Sequence, residues 1–198
     1  MKTYRVNEIF RSLQGEGFHT GTAAVFVRFS GCNLRCEFCD TLHDTFHTMT
    51  GADIAREVNR YPDAPLLVLT GGEPTLQIDN DLVTCLKRLS GKVITIETNG
   101  TLPIPDNIDW VTLSPKTAAR GGDTLPCVIR RCDELKVVYT GQDLALYDNI
   151  NAGYRFLQPC FVDDPQERQR NIALTVNAVL DNPRWRLSLQ THRILNIP

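Results

Sequence analysis

No stretch of this 198-residue sequence approaches the roughly 18 to 20 consecutive apolar residues that a membrane-spanning helix needs. The first ten residues, MKTYRVNEIF, also lack the apolar core of a secretory signal peptide. Charge of one sign is not in excess, because 21 Lys and Arg residues stand against 23 Asp and Glu residues, for a net charge of −2. The strongly basic surface of a nucleic-acid-binding protein is therefore missing. We expect a cytoplasmic protein with neither a membrane nor a nucleic acid as its partner.

Internal repeats, low-complexity tracts and an obvious linker are absent as well. The length fits one domain of the usual size, roughly 100 to 200 residues, and we predict a single domain over residues 1–198. Hydrophobic residues make up 42% and charged residues 22% of the chain, which is the composition of a globular protein. This composition excludes a disordered or fibrous chain.

The apolar residues form short β-branched runs, with helical segments between some of them. Several runs are apolar throughout, such as LLVL and VITI, which is typical of parallel strands covered on both faces. Six strands are predicted at residues 24–29, 66–70, 93–98, 110–114, 134–139 and 155–158. Further predicted segments are strands at 4–10 and 185–190, helices at 51–60, 78–89 and 165–180, a helical turn at 143–150, and loops at 100–109 and 117–132.

This pattern predicts an α/β fold, namely an open partial (β/α) barrel of about six mostly parallel strands with about three helices. A complete eight-stranded (β/α) barrel uses about 250 residues, which is more than this chain has. A doubly wound sheet is the alternative architecture. In both folds the functional residues lie at the carboxyl ends of the strands.

Polar or glycine-rich clusters follow five of the predicted strands. They are Ser30-Gly31-Cys32, the run from Thr70 to Pro74, the run from Glu97 to Gly100, Ser114-Pro115-Lys116 and Gln158-Pro159-Cys160. Ordinary turn residues are one explanation, but a turn does not require Glu97 or Lys116 at the end of a strand. The clusters therefore favour one ligand site built by several strands.

Seven cysteines are present, and an odd number without a secretion signal argues against a disulfide framework. Three of them, Cys32, Cys36 and Cys39, form a CxxxCxxC motif. Thiolates are soft ligands that select zinc, copper(I) or iron–sulfur clusters. The other four are interpreted as buried or incidental thiols: Cys85, Cys127, Cys132 and Cys160.

The motif favours an iron–sulfur cluster over zinc. Three thiolates can hold three irons of a [4Fe–4S] cluster, whereas ferredoxin-type clusters use four cysteines. The missing fourth ligand leaves one iron open to another molecule. A structural zinc site prefers four ligands, often as two CxxC pairs. No second pair exists here, although His43 or His47 could complete a site of three cysteines and one histidine.

The CxxxCxxC motif after the first of the six strands, together with Gly-Gly-Glu-Pro at 71–74 after the second, resembles the radical S-adenosylmethionine (SAM) superfamily. The resemblance implies that the open iron chelates the amino and carboxylate groups of SAM. It also implies that an electron from the cluster cleaves SAM to a 5′-deoxyadenosyl radical, which removes a hydrogen atom from the substrate. The cofactor then carries the chemistry, and the protein positions the reactants and excludes water.

A narrower resemblance, to the 7-carboxy-7-deazaguanine synthase family, covers the whole chain. It rests on SLQGEG at 12–17, VRF at 27–29, CDT at 39–41, ETNG at 97–100, SPK at 114–116, QP at 158–159 and TH at 191–192. The resemblance implies conversion of 6-carboxy-5,6,7,8-tetrahydropterin to 7-carboxy-7-deazaguanine with loss of ammonia, on the route to queuosine precursors. It also implies an abridged radical SAM barrel, a requirement for Mg²⁺, an electron donor such as flavodoxin or ferredoxin, and a homodimer.

The same resemblance implies roles for individual residues. The expected cluster ligands are Cys32, Cys36 and Cys39, and the expected protein ligand of Mg²⁺ is Thr41. The residues expected at SAM are Phe38, Cys39, Asp40, Gly72, Ser114, Pro115, Lys116, Gln158, Pro159, Cys160 and Phe161. The residues expected at the substrate are Leu13, Gln14, Gly15, Glu16, Arg28, Thr70, His192 and Pro198. Arg193 stands where the family leads us to expect Lys.

The substrate roles agree with the chemistry of a carboxylated pterin. Gln14 and Glu16 can form hydrogen bonds with its amide and amino edges, and the Arg28 guanidinium can bind its carboxylate through two parallel hydrogen bonds. Simpler explanations stay open: a structural salt bridge for Arg28, a turn or capping carboxylate for Glu16, a core residue for His192 and a turn hydroxyl for Thr41.

The end of the chain is apolar at Ile194, Leu195 and Ile197, which predicts a tail that packs rather than frays. A packed tail would hold the Pro198 carboxylate at a fixed place, as a substrate ligand or only as a seal at the barrel edge.

Two other functions remain open from the sequence. A glycyl-radical activating enzyme shares the cysteine spacing and the small size, but it needs a groove for a protein substrate. A non-catalytic zinc-binding module is the alternative of another class.

Overall fold

The structure, a computed structural model, describes residues 2–37, 39, 45–116 and 125–198. Nine strands and four α-helices are found in these ranges. The strands are β1 (Thr3–Leu13), β2 (Ala23–Phe29), β3 (His47–Thr50), β4 (Leu66–Gly71), β5 (Val93–Thr98), β6 (Trp110–Leu113), β7 (Arg131–Tyr139), β8 (Asn151–Pro159) and β9 (Arg186–Leu187). The helices are α1 (Gly51–Val58), α2 (Asn80–Ser90), α3 (Pro165–Asp181) and α4 (Thr191–Leu195).

The strands form one sheet in the order β3-β1-β2-β4-β5-β6-β7-β8-β9. From β2 to β9 every neighbouring pair is parallel, whereas β1 runs antiparallel to both β2 and β3. Parallel neighbours need crossover connections, and α1, α2 and α3 belong to such connections. The carboxyl ends of the parallel strands therefore lie together at one edge, which we call the carboxyl edge.

The α/β fold predicted from the sequence is confirmed. Each of the six predicted parallel strands is present, as β2, β4, β5, β6, β7 and β8, and β5 has the predicted bounds. The predicted N-terminal strand is β1, and the predicted strand at 185–190 is reduced to β9. The sheet order begins with β3 and ends with β9, so the sheet of the described residues is open.

Helix boundaries differ from the prediction where a capping residue decides them. α2 begins at Asn80 rather than 78, because the Asp79 carboxylate accepts a hydrogen bond from the N–H of Leu82 at 2.9 Å and so acts as the N-cap. α1 ends at Val58, before its predicted end at 60. Among the described residues, no helix combines the length and the apolar character needed to span a bilayer.

Two short elements are absent from the sequence prediction. β3 has four residues of mostly polar sequence and α4 has five residues, so neither shows a periodic apolar pattern. The predicted helical turn at 143–150 is a 3-10 turn over Leu144–Tyr147. The predicted loop at 117–132 overlaps the start of β7, and its residues 117–124 lie outside the described residues.

The two faces of the sheet differ in polarity. One face packs against the helices in a continuous apolar core, whose largest buried side chains include Phe29, Ile54, Leu67, Leu69, Leu82, Leu86, Ile94, Ile96, Leu113 and Leu135. Successive side chains of a strand point to opposite faces. Polar side chains on the other face include Arg28, Thr70, Glu97, Lys136 and Gln158.

Candidate functional site

An open cavity of about 1740 Å³ lies over the polar face of the sheet. Three segments surround it: the cysteine loop after β2, the floor loop of residues 14–22 between β1 and β2, and the C-terminal segment with α4. Every predicted site residue within the described ranges lines this cavity except Pro115, which is buried. Phe38, Asp40 and Thr41 lie outside the described residues. Residues far apart in sequence thus meet in one site.

The cysteine loop carries three cysteines at the cavity, none of them in a disulfide. Cys32 and Cys36 are half-buried, and Cys39 is exposed. The N–H of Cys39 donates to the carbonyl of Cys36 at 3.1 Å, which closes a turn between these two cysteines. Burial raises the pKa of the Cys32 and Cys36 thiols, and metal coordination offsets this effect because it deprotonates a thiol. The loop supplies three soft ligands of the kind that an iron–sulfur cluster takes, while no group of three or more metal-ligating side chains is gathered around one point within the described residues.

The glycines after β4 let the cysteine loop pack directly against this strand end. The N–H of Gly72 donates to the carbonyl of Phe29 at 3.1 Å, and the N–H of Glu73 donates to the carbonyl of Gly31 at 2.9 Å. A Cβ atom on Gly71 would lie 2.1 Å from the oxygen of Phe29, and one on Gly72 would lie 2.2 Å from the oxygen of Gly31. Only glycine permits so close an approach of the two backbones.

Glu73 of the same motif is fully buried, and its carboxylate ties the end of β4 to the end of β5. It accepts hydrogen bonds from the Thr98 hydroxyl and the Asn99 N–H, each at 2.7 Å. The Asn99 side chain in turn donates to Asn33 of the cysteine loop at 3.0 Å. A buried carboxylate is tolerated only with such partners. Glu73 therefore holds the strand ends around the cysteines, a role that its place in the Gly-Gly-Glu-Pro motif does not by itself reveal.

Predicted SAM residues at the ends of β6 and β8 line the cavity as well. The Lys116 ammonium donates to the Ser114 hydroxyl at 2.7 Å. Burial lowers the pKa of Lys116, and the positive charge of Lys136 lowers it further. Gln158 is buried, and its side-chain oxygen accepts a hydrogen bond from the Ser188 hydroxyl at 3.1 Å. These contacts fix polar groups at the cavity wall.

Phe161, just beyond β8, lies against two guanidinium groups. The guanidinium carbons of Arg168 and Arg193 are 4.5 and 3.9 Å from the centre of its ring. Arg168 also donates through Nε to the carbonyl of Val162 at 3.0 Å. Arg193 stands where the family pattern predicts Lys, and its planar group stacks on an aromatic face in a way that an ammonium does not. Arg193 thereby links α4 to the end of β8.

Charged side chains form a network at the bottom of the cavity. Glu97 accepts hydrogen bonds from the Gln14 amide at 3.1 Å and from the Thr70 hydroxyl at 2.9 Å. The Lys136 ammonium lies 3.5 Å from Glu97 and contacts the Glu16 carboxylate directly. The predicted set of site residues did not include Glu97 or Lys136. Glu97 is marked in the sequence by the ETNG motif at a strand end, whereas the only signal for Lys136 is a charged residue among the apolar residues of a predicted strand.

Glu16 is enclosed by the floor loop, β7 and the C-terminal segment. Burial alone would raise the pKa of its carboxyl, but Lys136 and the Gln190 amide, which donates at 2.9 Å, outweigh burial and lower the pKa to about 2. The Lys136 ammonium is itself desolvated, yet the surrounding carboxylates raise its pKa. Both groups are therefore charged at neutral pH. Glu16 is not the turn or capping carboxylate that the sequence left open.

Arg28 lines the cavity from β2 and pairs with Glu8 of β1, with Nε 2.7 Å from the carboxylate. Its guanidinium carbon also lies 5.5 Å from the centre of the Phe10 ring. The salt bridge that the sequence left open is thus present. A guanidinium carries five donors, so this salt bridge is compatible with binding a ligand carboxylate.

The C-terminal segment packs on the floor loop. The N–H and the hydroxyl of Thr191 donate to the carbonyl of Gly15 at 3.0 and 2.9 Å. His192 lies so close that a Cβ on Gly15 would be 2.3 Å from its Nδ1. The Ser12 hydroxyl donates to the oxygen of Pro198 at 2.6 Å. The tail is therefore packed, as the sequence predicted.

The packing of the tail uses other side chains than expected. Ile194 is 70% and Leu195 is 57% exposed, so these apolar residues do not hold the tail in place. Hydrogen bonds from Thr191 and Ser12 do so instead. The prediction of a packed tail was right, but the reason given for it was wrong for Ile194 and Leu195, whereas Ile197 is half-buried at the cavity.

The open parallel sheet, with three cysteines after its first parallel strand and Gly-Gly-Glu after the second, defines a radical SAM protein. The model of the radical SAM superfamily matches residues 26–120. A 7-carboxy-7-deazaguanine synthase of Bacteroides thetaiotaomicron is 53% identical over 193 residues, with 98% of each chain covered. One of Burkholderia multivorans is 40% identical over 224 residues, with 99% of this chain and 100% of the relative covered. The chain belongs to the 7-carboxy-7-deazaguanine synthase family.

A solved structure supports the same relationship. The crystal structure of QueE from Escherichia coli matches with a TM-score of 0.75 and 28% identity, and the match covers 94% of this chain and 93% of that one. The predicted family, enzyme class and fold are therefore confirmed, and the superfamily implies a [4Fe–4S] cluster and SAM as cofactors.

Proposed function

We propose that this protein converts 6-carboxy-5,6,7,8-tetrahydropterin to 7-carboxy-7-deazaguanine with loss of ammonia, a step toward deazapurines such as queuosine precursors. The observation that carries the proposal is the shared cavity, in which the cysteine loop and the polar floor around Gln14 and Glu16 open onto the same space. Relatives named 7-carboxy-7-deazaguanine synthase align along nearly the whole chain.

In this proposal Cys32, Cys36 and Cys39 hold three irons of the cluster, and the fourth iron is left for SAM. The cluster and SAM, when bound, supply the radical abstraction of a hydrogen atom from the substrate. The residues proposed to contact SAM are Phe38, Cys39, Asp40, Gly72, Ser114, Pro115, Lys116, Gln158, Pro159, Cys160 and Phe161. The buried Glu73 and the glycines before it keep this wall in contact with the cysteine loop.

The proposed substrate residues are Leu13, Gln14, Gly15, Glu16, Arg28, Thr70, His192 and Pro198. The ionised Glu16 accepts charge-assisted hydrogen bonds from the amino edge of the pterin, and Gln14 pairs with its amide edge. A buried acceptor of this kind rejects an analogue that lacks the donor, because the acceptor is then left unpaired. We add Glu97 to the substrate site, since it binds both Gln14 and Thr70.

The proposed Mg²⁺ ligand is Thr41, which lies outside the described residues. Mg²⁺ keeps several waters and takes few protein ligands, so one hydroxyl and substrate oxygens can complete its shell. Thr41→Ala should raise the Mg²⁺ concentration needed for half-maximal activity and leave SAM binding nearly unchanged, whereas Thr41→Ser should retain most activity. Equal Mg²⁺ dependence in wild type and Thr41→Ala would remove Thr41 from the site.

The proposed partners are a protein electron donor such as flavodoxin or ferredoxin and a second copy of the chain. The exposed apolar side chains of Ile194 and Leu195 support an interface between subunits. Analytical ultracentrifugation of the cluster-loaded protein measures the oligomeric state directly.

The test of the function is an anaerobic assay of the reconstituted protein with SAM, Mg²⁺, a reductant and the carboxytetrahydropterin, followed by mass spectrometry. The expected result is a brown protein that forms 7-carboxy-7-deazaguanine and releases ammonia. A colourless protein that binds one zinc would support the zinc-binding module instead. A brown protein that cleaves SAM but leaves the pterin unchanged would contradict the proposed substrate.

A further inference from the structure

The floor loop is attached to β7 by two neighbouring charged side chains on the same face of that strand. Lys136 holds the Glu16 carboxylate, as described above. Glu134, two residues earlier, is 2% exposed and contacts the next part of the floor loop. Nothing in the proposed function uses Glu134, although burying a carboxylate is costly unless other groups pair with it. Burial raises its pKa, which the nearby Lys136 counteracts.

Glu134 contacts the backbone of the floor loop, and the Trp110 side chain also interacts with its carboxylate. Its Oε2 accepts a hydrogen bond from the N–H of Phe18 at 3.1 Å. Its Oε1 lies against Gly17 so closely that a Cβ there would be 1.9 Å away. Gly17 has a φ of +66°, a conformation that other residues rarely adopt. The glycine and the carboxylate thus fit each other, and the SLQGEG segment ends at this contact.

A second hydrogen bond joins the same point of the loop to the cavity wall. The N–H of Gly17 donates to the Ser188 hydroxyl at 2.9 Å, and that hydroxyl donates to Gln158 at 3.1 Å. Both N–H groups that follow Glu16 are therefore bound, one by Glu134 and one by Ser188. The backbone beside Glu16 is fixed from two directions.

Aromatic packing also holds the far end of the loop, in part through Tyr154, which lies against Phe18. The Phe18 ring lies 4.8 Å from the Trp110 ring and 4.4 Å from the Tyr154 ring, measured between centroids. Loss of the Glu134 contact therefore leaves the loop attached to the sheet. Loss of this contact should instead increase the conformational freedom of the backbone between Gln14 and Phe18.

We propose that Glu134 is a positioning residue for the substrate: its carboxylate fixes the Gly17–Phe18 backbone and so aims Gln14 and Glu16 at the pterin. The inference rests on the proposed function for the identity of the substrate. Hydrogen bonds to a charged acceptor are stronger than those between neutral groups. When Gln14 and Glu16 are misplaced, the substrate binds more weakly, while the cysteine loop is unaffected.

The test compares Glu134→Ala and Glu134→Gln in the cluster-loaded enzyme. Glu134→Ala should raise KM for the pterin about tenfold, the factor expected from losing one hydrogen bond to a charged group. Iron content and SAM cleavage without substrate should stay unchanged. Glu134→Gln keeps an acceptor oxygen and should bring KM back to within about threefold of wild type.

Asp133→Ala is the matched control. Asp133 is the neighbouring carboxylate of β7, and it also accepts a backbone N–H, that of Val111 at 2.9 Å, but it does not contact the floor loop. Its removal should leave KM unchanged. Should Glu134→Ala fail to fold, Ser188→Ala removes the second contact with Gly17 and should raise KM about threefold.

Hydrogen exchange of the peptide covering residues 14–22 gives a readout that does not depend on the substrate. Glu134→Ala should speed exchange at the amide of Phe18, and Asp133→Ala should not.

A wild-type KM in Glu134→Ala with unchanged exchange would overturn the proposal. So would an equal rise of KM in Glu134→Ala and Asp133→Ala, or a Glu134→Gln variant as impaired as Glu134→Ala. If wild type makes no product from the pterin but exchange responds as expected, only the proposed substrate fails.

Discussion

At the scale of single residues, the cavity floor is organised by one buried lysine among carboxylates. The charges of Glu16, Glu97 and Glu134 act together on the Lys136 ammonium. A buried ion pair adds little to stability compared with apolar packing, but removing one partner leaves the other charge uncompensated. The network therefore sets the geometry and the charge of the floor more than it stabilises the fold.

Glu16→Gln should make folding less sensitive to acid. The folded protein holds the pKa of Glu16 at about 2, below the value of about 4.3 for an unfolded glutamate. The unfolded chain therefore binds the extra proton first, so the contribution of ionised Glu16 is complete above about pH 4.3 and is lost as pH falls toward 2. Wild type should lose on the order of 2 kcal/mol more than Glu16→Gln between pH 7 and pH 3.

Urea unfolding of the metal-free proteins at these two pH values measures the difference. Equal losses in both proteins would show that Glu16 is not held ionised by its neighbours.

Cys32→Ala, Cys36→Ala and Cys39→Ala should each lose the cluster and all SAM cleavage, because three thiolates are the minimum that leaves one open iron. Cys85→Ala is the control, since Cys85 lies on α2. It should retain full iron content. Iron analysis and SAM cleavage measure both effects, and full turnover in Cys36→Ala would contradict the radical mechanism.

The sequence predicted the members of the site that carry a local motif. The cysteines, the glycines after β4 and the SLQGEG segment each have a recognisable spacing. Glu97 stands in the ETNG motif, but its partners there cannot be read from that motif. Lys136 and Gln190 have no motif, because each gains its role only when distant segments meet: Gln190 is 174 residues from its partner Glu16.

At the scale of elements, strands buried on both faces were the most predictable parts of the chain. β4 and β5 form continuous apolar runs, and their bounds agree closely with the prediction. β3 and α4 were missed because their residues are few and mixed in polarity. α4 nevertheless brings His192 and Arg193 to the cavity, so the least predictable element forms part of its wall.

A short C-terminal tag should impair the substrate site selectively. The oxygen of Pro198 accepts a hydrogen bond from Ser12, next to the floor loop, so additional residues would displace the tail. We expect KM for the pterin to rise more than about tenfold, from loss of contacts with a charged carboxylate. Cluster content and SAM cleavage without substrate should survive.

The comparison of tagged and untagged protein includes the melting temperature. A lower melting temperature with an unchanged KM would mean that the tail only seals the edge of the sheet.

At the scale of the whole molecule, one open sheet separates an apolar core on the helical side from a polar cavity on the other. The core is formed by the chain's own apolar side chains, and the cavity collects polar groups that a ligand can satisfy. SAM bound through the open iron should therefore stabilise only the cluster-loaded protein.

Saturating SAM, at 100 times its Kd, should add about 2.7 kcal/mol of stability. For a chain of this length this corresponds to a rise in Tm of roughly 5 to 10 °C. Anaerobic thermal scans with and without SAM measure it. The same rise in the cluster-free protein would mean that SAM binds without the iron.

β2 connects the floor loop to the cysteine loop, and it does so in seven residues, Ala23–Phe29. At about 3.3 Å per residue, β2 spans roughly 20 Å. Its length therefore sets the distance between the floor loop and the cysteine loop, which lie at the two ends of the cavity. Inserting or deleting one residue would exchange the strand's two faces and carry Arg28 into the core. Without a β-bulge to absorb an extra residue, the depth of the cavity therefore changes in steps of two residues, or about 7 Å.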